Sequence, residues 1–116
     1  MDNEAQLYYN PACSKCRTAD GLLKERGIDA EQVRYLDRAP TLDELRDLMT
    51  KLGIDDPRAM VRTGEAIYAE LGLATATADR LLEAITEHPI LLERPIFVRD
   101  DKAVIARPPE RLLDLL

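Results

Sequence analysis

Both cysteines of the chain lie in one short stretch, Asn10-Pro11-Ala12-Cys13-Ser14-Lys15-Cys16. Two thiols three residues apart can ligate a metal, form a reversible disulfide, or make one reactive thiolate beside a second thiol. A zinc site normally takes four soft or imidazole donors. Only Cys13, Cys16 and the distant His88 supply such donors, so the metal reading is the least favoured and no metal is expected. A disulfide is open to the pair, because side chains at i and i+3 of a first helical turn have Cβ atoms about 5–6 Å apart. In the third reading Cys13 sits where unsatisfied N–H groups and the positive end of a helix favour an anion. A thiol with a pKa of about 8.5 is only a few per cent ionised at neutral pH, and lowering it to about 6.5 raises the reactive fraction more than tenfold. The plain alternative is that both cysteines are small buried hydrophobes. Against it for Cys13 stand the Asn10-Pro11 turn, which projects the residue from a strand end, and the cations Lys15 and Arg17 that follow. The reactive reading is therefore favoured for Cys13, while Cys16 reads equally well as a packing residue or as a resolving thiol.

No nucleophile–histidine triad is available, since His88 is the single histidine and His88-Pro89 has the look of a helix end, where an imidazole caps or packs. Activation of Cys13 must then come from the helix and from cations. Arg62, Arg94 and Arg107 each stand in or beside irregular chain, the last two directly before Pro95 and Pro108. A guanidinium suits a tetrahedral oxyanion because its planar fork donates paired, permanently charged hydrogen bonds. Spacing alone does not bring the three arginines together.

The elements that must position these residues follow from the apolar pattern. Residues 5–10 read as a short strand ended by Asn10-Pro11, and Ala19, Leu22 and Leu23 mark a helix over residues 14–26 stopped by Gly27. A second strand is expected over residues 32–36, giving a strand–helix–strand unit suited to a right-handed crossover and a parallel pair. Thr41-Leu42-Asp43-Glu44 has capping-box spacing, and Leu42, Leu45, Leu48, Met49 and Leu52 continue as one helical face up to Gly53. Short helical turns are expected from Pro57 and around residues 67–72, and Ala78, Leu81, Leu82 and Ile85 mark another helix before Pro89. Ile96-Phe97-Val98 and Ala103-Val104-Ile105 read as a hairpin with a polar connection. Pro108 and Pro109 suit the first turn of a last helix, with Leu112, Leu113 and Leu116 expected to pack inward. The class is α/β, a small mixed four-stranded sheet with flanking helices, in a single domain over residues 1–116.

Composition narrows the function. A chain of 116 residues with 46% hydrophobic residues supports one core. The net charge of −6 argues against nucleic acid as the main ligand, so an anionic ligand must meet local positive charge. The N-terminal residues lack the basic-then-apolar pattern of a signal peptide, and no apolar run approaches the roughly 18 residues of a membrane span. A cytoplasmic monomer without membrane or nucleic-acid partners is expected. In that compartment a C-x-x-C pair is more often catalytic or redox-active than a structural staple.

Five segments, "YYNPACSKCR", "YLDRAPTLDEL", "RAMVRTGEAIYAELGL", "EHPILLERPIFV" and "IARPPERLLDLL", resemble in sequence order the glutaredoxin-dependent arsenate reductase (ArsC) family, a thioredoxin-like branch with a helical insertion. The chain is similar to the short members, without a C-terminal extension. The resemblance implies that Cys13 is the nucleophile, that Arg62, Arg94 and Arg107 hold the oxyanion, and that Pro95 is a cis-proline facing the cysteine loop. It implies arsenate or a similar oxyanion as substrate, no bound cofactor, and glutathione with glutaredoxin as reductants. Tyr9 stands where many members carry histidine, and Cys16 where many carry serine; a second thiol there could resolve the adduct internally and favour thioredoxin as reductant. A C-x-x-C at this position also resembles Spx-type regulators, which use a disulfide to control RNA polymerase binding. The intact Arg107-Pro108-Pro109 ranks that reading second. A thiol-disulfide reductase acting on another substrate is the third.

Overall fold

The computed structural model describes residues 5–116; residues 1–4, on which the reading of the N-terminus rests, lie outside the described residues. The chain divides into two compact units, one made of the chain up to Tyr35 together with Arg94–Leu116, the other of Leu36–Glu93.

The first unit holds four strands, β1 (Ala5–Tyr8), β2 (Glu31–Val33), β3 (Ile96–Arg99) and β4 (Lys102–Ile105), in the order β2-β1-β3-β4. β1 runs parallel to β2, with Leu7 opposite Gln32, and antiparallel to β3, with Leu7 opposite Phe97; β4 returns antiparallel to β3, with Val104 opposite Phe97. Because side chains alternate along a strand, Leu7, Phe97 and Val104 share a face. Onto that face packs α1 (Ser14–Glu25), whose Cys16, Ala19 and Leu23 are buried in one apolar cluster with Leu7, Tyr9, Phe97, Ala106 and Leu112. Arg26 closes α1 and Gly27 follows at φ +71, a left-handed conformation that glycine adopts without a Cβ penalty.

Two expectations change here. The second strand ends at Val33, because the Val33 carbonyl accepts from both Tyr9 N–H (2.9 Å) and Tyr35 N–H (3.0 Å), turning the chain before Leu36, which is exposed. The expected last helix is present over Pro109–Leu115 as a 3-10 helix, and one of the leucines expected to pack inward from it does not. With three residues per turn, Pro109, Leu112 and Leu115 share a face. Pro109 and Leu112 are accordingly buried and Leu115 packs against the cluster; Leu113 also packs against it, as expected, whereas Leu116, expected to point inward, is 43% exposed.

The second unit carries α2 (Leu42–Leu52), α3 (Ala66–Glu70) and α4 (Ala78–Glu87), with 3-10 turns at Pro57–Met60, Leu73–Thr75 and Pro89–Leu91. The capping box of α2 is complete: Glu44 N–H donates to Thr41 Oγ1 (3.1 Å), and Thr41 N–H donates to Glu44 Oε1 (2.9 Å). Two otherwise orphaned donors are thereby satisfied. Thr41→Ala is expected to lower stability by about 1 kcal/mol, read as a lower urea midpoint with an unchanged m-value; an unaltered midpoint would mean that the cap contributes nothing. α2 packs against α4, which buries Leu81, Leu82, Ala84 and Ile85. Arg58 ties the segment after α3 to the Pro57–Met60 turn by donating to the carbonyls of Leu73 (3.1 Å), Ala74 (3.1 Å) and Ala76. No helix among the described residues is long and apolar enough to cross a membrane.

Candidate functional site

The loop between β1 and α1 is built by local hydrogen bonds. Asn10 turns the chain: its Oδ1 accepts from Ala12 N–H (2.9 Å) and its carbonyl accepts from Cys13 N–H (2.9 Å). Such a side chain mimics a backbone turn. Arg17, one turn into α1, reaches back and donates to the Pro11 carbonyl at 2.7 Å. Cys13 then occupies the N-cap of α1 in extended conformation (φ −95, ψ 120), with Arg17 N–H donating to its carbonyl at 3.2 Å. No side-chain oxygen caps this helix; the residue at the capping position carries sulfur.

Burial pushes the Cys13 thiol up, but the backbone N–H of Cys16, the Cys16 thiol, the backbone N–H of Lys15 and the Arg94 cation together outweigh it, so that its pKa falls below the ordinary value. The unpaired amides of a first helical turn stabilise an anion at this place. Cys16 moves the other way. Burial, with the neighbouring Cys13 adding to it, pushes this thiol up to about 11, against the partial relief given by the Asn10 backbone and Arg94. The two thiols of one motif thus have opposite characters: Cys13 is partly exposed and poised to ionise, Cys16 is wholly buried and holds its proton. Both are free.

The remaining predicted residues divide between the units. In the sheet unit, Arg107 Nη1 donates to the Arg94 carbonyl at 3.0 Å, and the Arg94–Pro95 and Arg107–Pro108 bonds are both cis. Ala106 N–H donates to the Pro95 carbonyl (2.9 Å), tying the chain after β4 to the entry of β3. Cys13, Cys16, Arg94, Pro95 and Arg107 therefore belong to one unit. Arg62 belongs to the helical unit, where its N–H donates to the Leu91 carbonyl (2.7 Å) and its guanidinium pairs with Glu65 at 2.6 Å. His88 ends α4: its N–H donates to the Ala84 carbonyl (2.7 Å), and its own carbonyl accepts from Leu91 N–H (2.9 Å). Tyr9 is buried in the apolar cluster, with the Arg34 guanidinium 5.5 Å from its ring centroid. Among the described residues no three His, Cys, Asp or Glu side chains gather as metal ligands would.

Asn10-Pro11 is legible as a turn and Arg17 as a nearby cation, but the sequence does not show Asn10 as the hydrogen-bonding centre of the loop or Arg17 as its clamp. Asn before proline is a readable turn signal. The reach of Arg17 to Pro11 leaves no trace in residue spacing.

A mixed sheet in the order β2-β1-β3-β4, a cysteine at the first turn after β1 and a cis-proline opening β3 define a thioredoxin-like domain, with a helical segment between β2 and β3. The model of the ArsC family matches residues 8–115, and the chain belongs to that family. It is 49% identical over 111 residues to an arsenate reductase of Neisseria meningitidis, covering 94% of this chain and 95% of that protein. It is 43% identical to an arsenate reductase of Haemophilus influenzae, covering 95% and 97% of the two chains. Among solved structures, an arsenate reductase from Vibrio cholerae superposes with a TM-score of 0.96 at 40% identity over the whole of both chains.

Proposed function

We propose that this protein reduces arsenate, or a closely similar tetrahedral oxyanion, with thiols as the source of electrons. The observation that carries the reading is Cys13: a sulfur at the N-terminus of α1 whose ionisation is favoured by first-turn amides and by Arg94, in a family whose relatives bear the name arsenate reductase. The Cys13 thiolate attacks arsenic(V), a sulfur–arsenic bond forms, and a protonated oxygen leaves as water. Glutathione then attacks the adduct. As the sulfur–sulfur bond forms, the sulfur–arsenic electron pair remains on arsenic, which leaves as arsenite, two electrons richer. Glutaredoxin, with further glutathione, reduces the mixed disulfide and returns the Cys13 thiol. No bound cofactor enters, and the reaction belongs in the cytoplasm, where thiols are kept reduced.

The arginines supply charge where the substrate carries it. Arg94 is assigned to the oxyanion because its cation acts on the Cys13 sulfur, and Arg107 because it donates to the Arg94 carbonyl. Arg62 is assigned on its motif match alone. Arsenate-dependent NADPH oxidation by the purified protein with glutathione, glutaredoxin and glutathione reductase tests the reading. Turnover is expected, and Arg94→Ala, Arg107→Ala and Arg62→Ala are each expected to lower kcat/KM for arsenate by about 100-fold. Absence of turnover both in this mixture and with thioredoxin and thioredoxin reductase would overturn the assignment. An unimpaired Arg62→Ala would remove that residue alone.

A further inference from the structure

The stretch of chain just before the nucleophile lies open to solvent. Pro11 and Ala12 are exposed and Cys13 is half-buried, so hydrogen bonds rather than packing must fix this part of the loop. Proline has no N–H, which leaves the carbonyl as the one backbone group by which Pro11 can be tied. Arg17 takes that carbonyl: its Nη1 donates to it at 2.7 Å, while its backbone N–H donates to the Cys13 carbonyl at 3.2 Å. A single residue thus closes a ring around Pro11-Ala12-Cys13, gripping the chain at the nucleophile and again two residues before it.

We propose that Arg17 is a positioning residue for the Cys13 nucleophile: its guanidinium pins the Pro11 carbonyl and so fixes the strand-to-helix loop that holds the Cys13 sulfur at the first-turn amides of α1. The inference rests on the thiol chemistry proposed above for Cys13. Three observations support it. The bond from guanidinium to carbonyl is charge-assisted, and its 2.7 Å lies at the short end of the range for such contacts. The pinned carbonyl belongs to a turn closed on itself, with Ala12 N–H on Asn10 Oδ1 and Cys13 N–H on the Asn10 carbonyl, both at 2.9 Å. A shift of Pro11 therefore disturbs the bonds that orient Cys13. Finally, Arg17 is exposed and lies off the face of α1 that buries Cys16, Ala19 and Leu23, so core packing does not account for its placement. An exposed charged contact adds little to global stability. Its effect falls instead on where the sulfur sits.

The test compares the reduced protein with Arg17→Ala in two readouts. Alanine keeps the backbone N–H on the Cys13 carbonyl and is the best helix former, so the substitution removes the guanidinium arm without weakening α1. The groups that favour the Cys13 thiolate, namely the Lys15 and Cys16 backbone, the Cys16 thiol and the Arg94 cation, are untouched by it. In the first readout, amide hydrogen exchange at Ala12 and Cys13 is expected to quicken by about threefold or more, while Ala19 and Leu23 within α1 keep their wild-type rates. In the second, iodoacetamide alkylation of Cys13 is followed against pH. The profile is expected to move to higher pH in Arg17→Ala, slowing the reaction at pH 6.5 by about threefold. That difference is expected to persist in 1 M KCl, where the Debye length is about 3 Å and the field of a more distant charge is screened. Unchanged exchange at Ala12 and Cys13 would overturn the brace. A difference that vanishes in 1 M KCl would leave Arg17 acting by charge alone, and exchange quickened along the whole of α1 would make it a helix stabiliser; either result overturns the positioning role. Neither readout uses arsenate, so a wild-type protein that fails to turn over arsenate but shows both effects would remove the substrate and leave the role of Arg17 standing.

Discussion

Cys13→Ser is expected to lose arsenate turnover by on the order of 10⁴-fold or more while folding at least as well as the parent. The two halves of this prediction come from the same position. Serine at an N-cap accepts from the amides of the first turn and is among the best residues there, typically better than a non-capping residue by about 0.5–1 kcal/mol. Cys13 occupies that position with no side-chain cap bond of the ordinary kind, so the exchange completes the helix while removing the nucleophile. A hydroxyl does not ionise in the working pH range, and an oxygen–arsenic bond opened by a thiol cannot give the disulfide that delivers two electrons. Urea unfolding and coupled NADPH oxidation on the same preparation check both halves. Retained turnover would move the chemistry away from Cys13; a large drop in stability would show that the sulfur packs rather than reacts. The opposite tendencies of fold and function at this residue fit a helix start kept imperfectly capped so that its amides can act on a thiolate.

The parts of the molecule legible in the sequence are those fixed by neighbours along the chain. Thr41 and Glu44 name a capping box whose partners are three residues apart, and both of its bonds are present. Gly53, expected to stop α2, takes the left-handed conformation (φ +72) at its C-cap. The nucleophile is legible for the same reason, as a cysteine between a strand-ending Asn10-Pro11 and a helix. Features fixed from a distance are not. The end of β2 depends on the Val33 carbonyl serving Tyr9, a residue that follows another strand. Leu116 falls beyond the 3-10 helix, at its C-cap, and is exposed there, a placement that leucine spacing does not announce. Arg94 and Arg107 illustrate the same limit within the candidate site. Their type suggests anion binding, but their association through the Arg94 carbonyl is a property of the folded sheet unit. Arg17 and Asn10 acquire their roles only when the loop closes on itself.

The apolar support of that loop predicts the second large effect. Phe97 is the single phenylalanine of a chain without tryptophan. It is completely buried in β3, opposite Leu7 on one side and Val104 on the other, in the cluster that contains Cys16, Ala19 and Leu23 of α1. Phe97→Ala is expected to cost about 3–5 kcal/mol, the lost transfer energy of the ring plus the cavity it leaves. Against a total stability of about 5–15 kcal/mol for a domain of ordinary stability, this is a large share, and the urea midpoint should fall steeply. Phe97→Leu, which keeps most of the volume, should retain more than half of the difference. The effect should also reach the nucleophile, because the face of α1 resting on Phe97 is the face that carries Cys16. A loosened α1 holds its first-turn amides less firmly at the Cys13 sulfur, so the iodoacetamide alkylation profile of Cys13 should move to higher pH in Phe97→Ala even under conditions where the variant is fully folded. A stability loss below about 1 kcal/mol would show that the ring is not a keystone of this core, and an unmoved alkylation profile in the folded variant would uncouple the reactivity of Cys13 from the packing beneath α1.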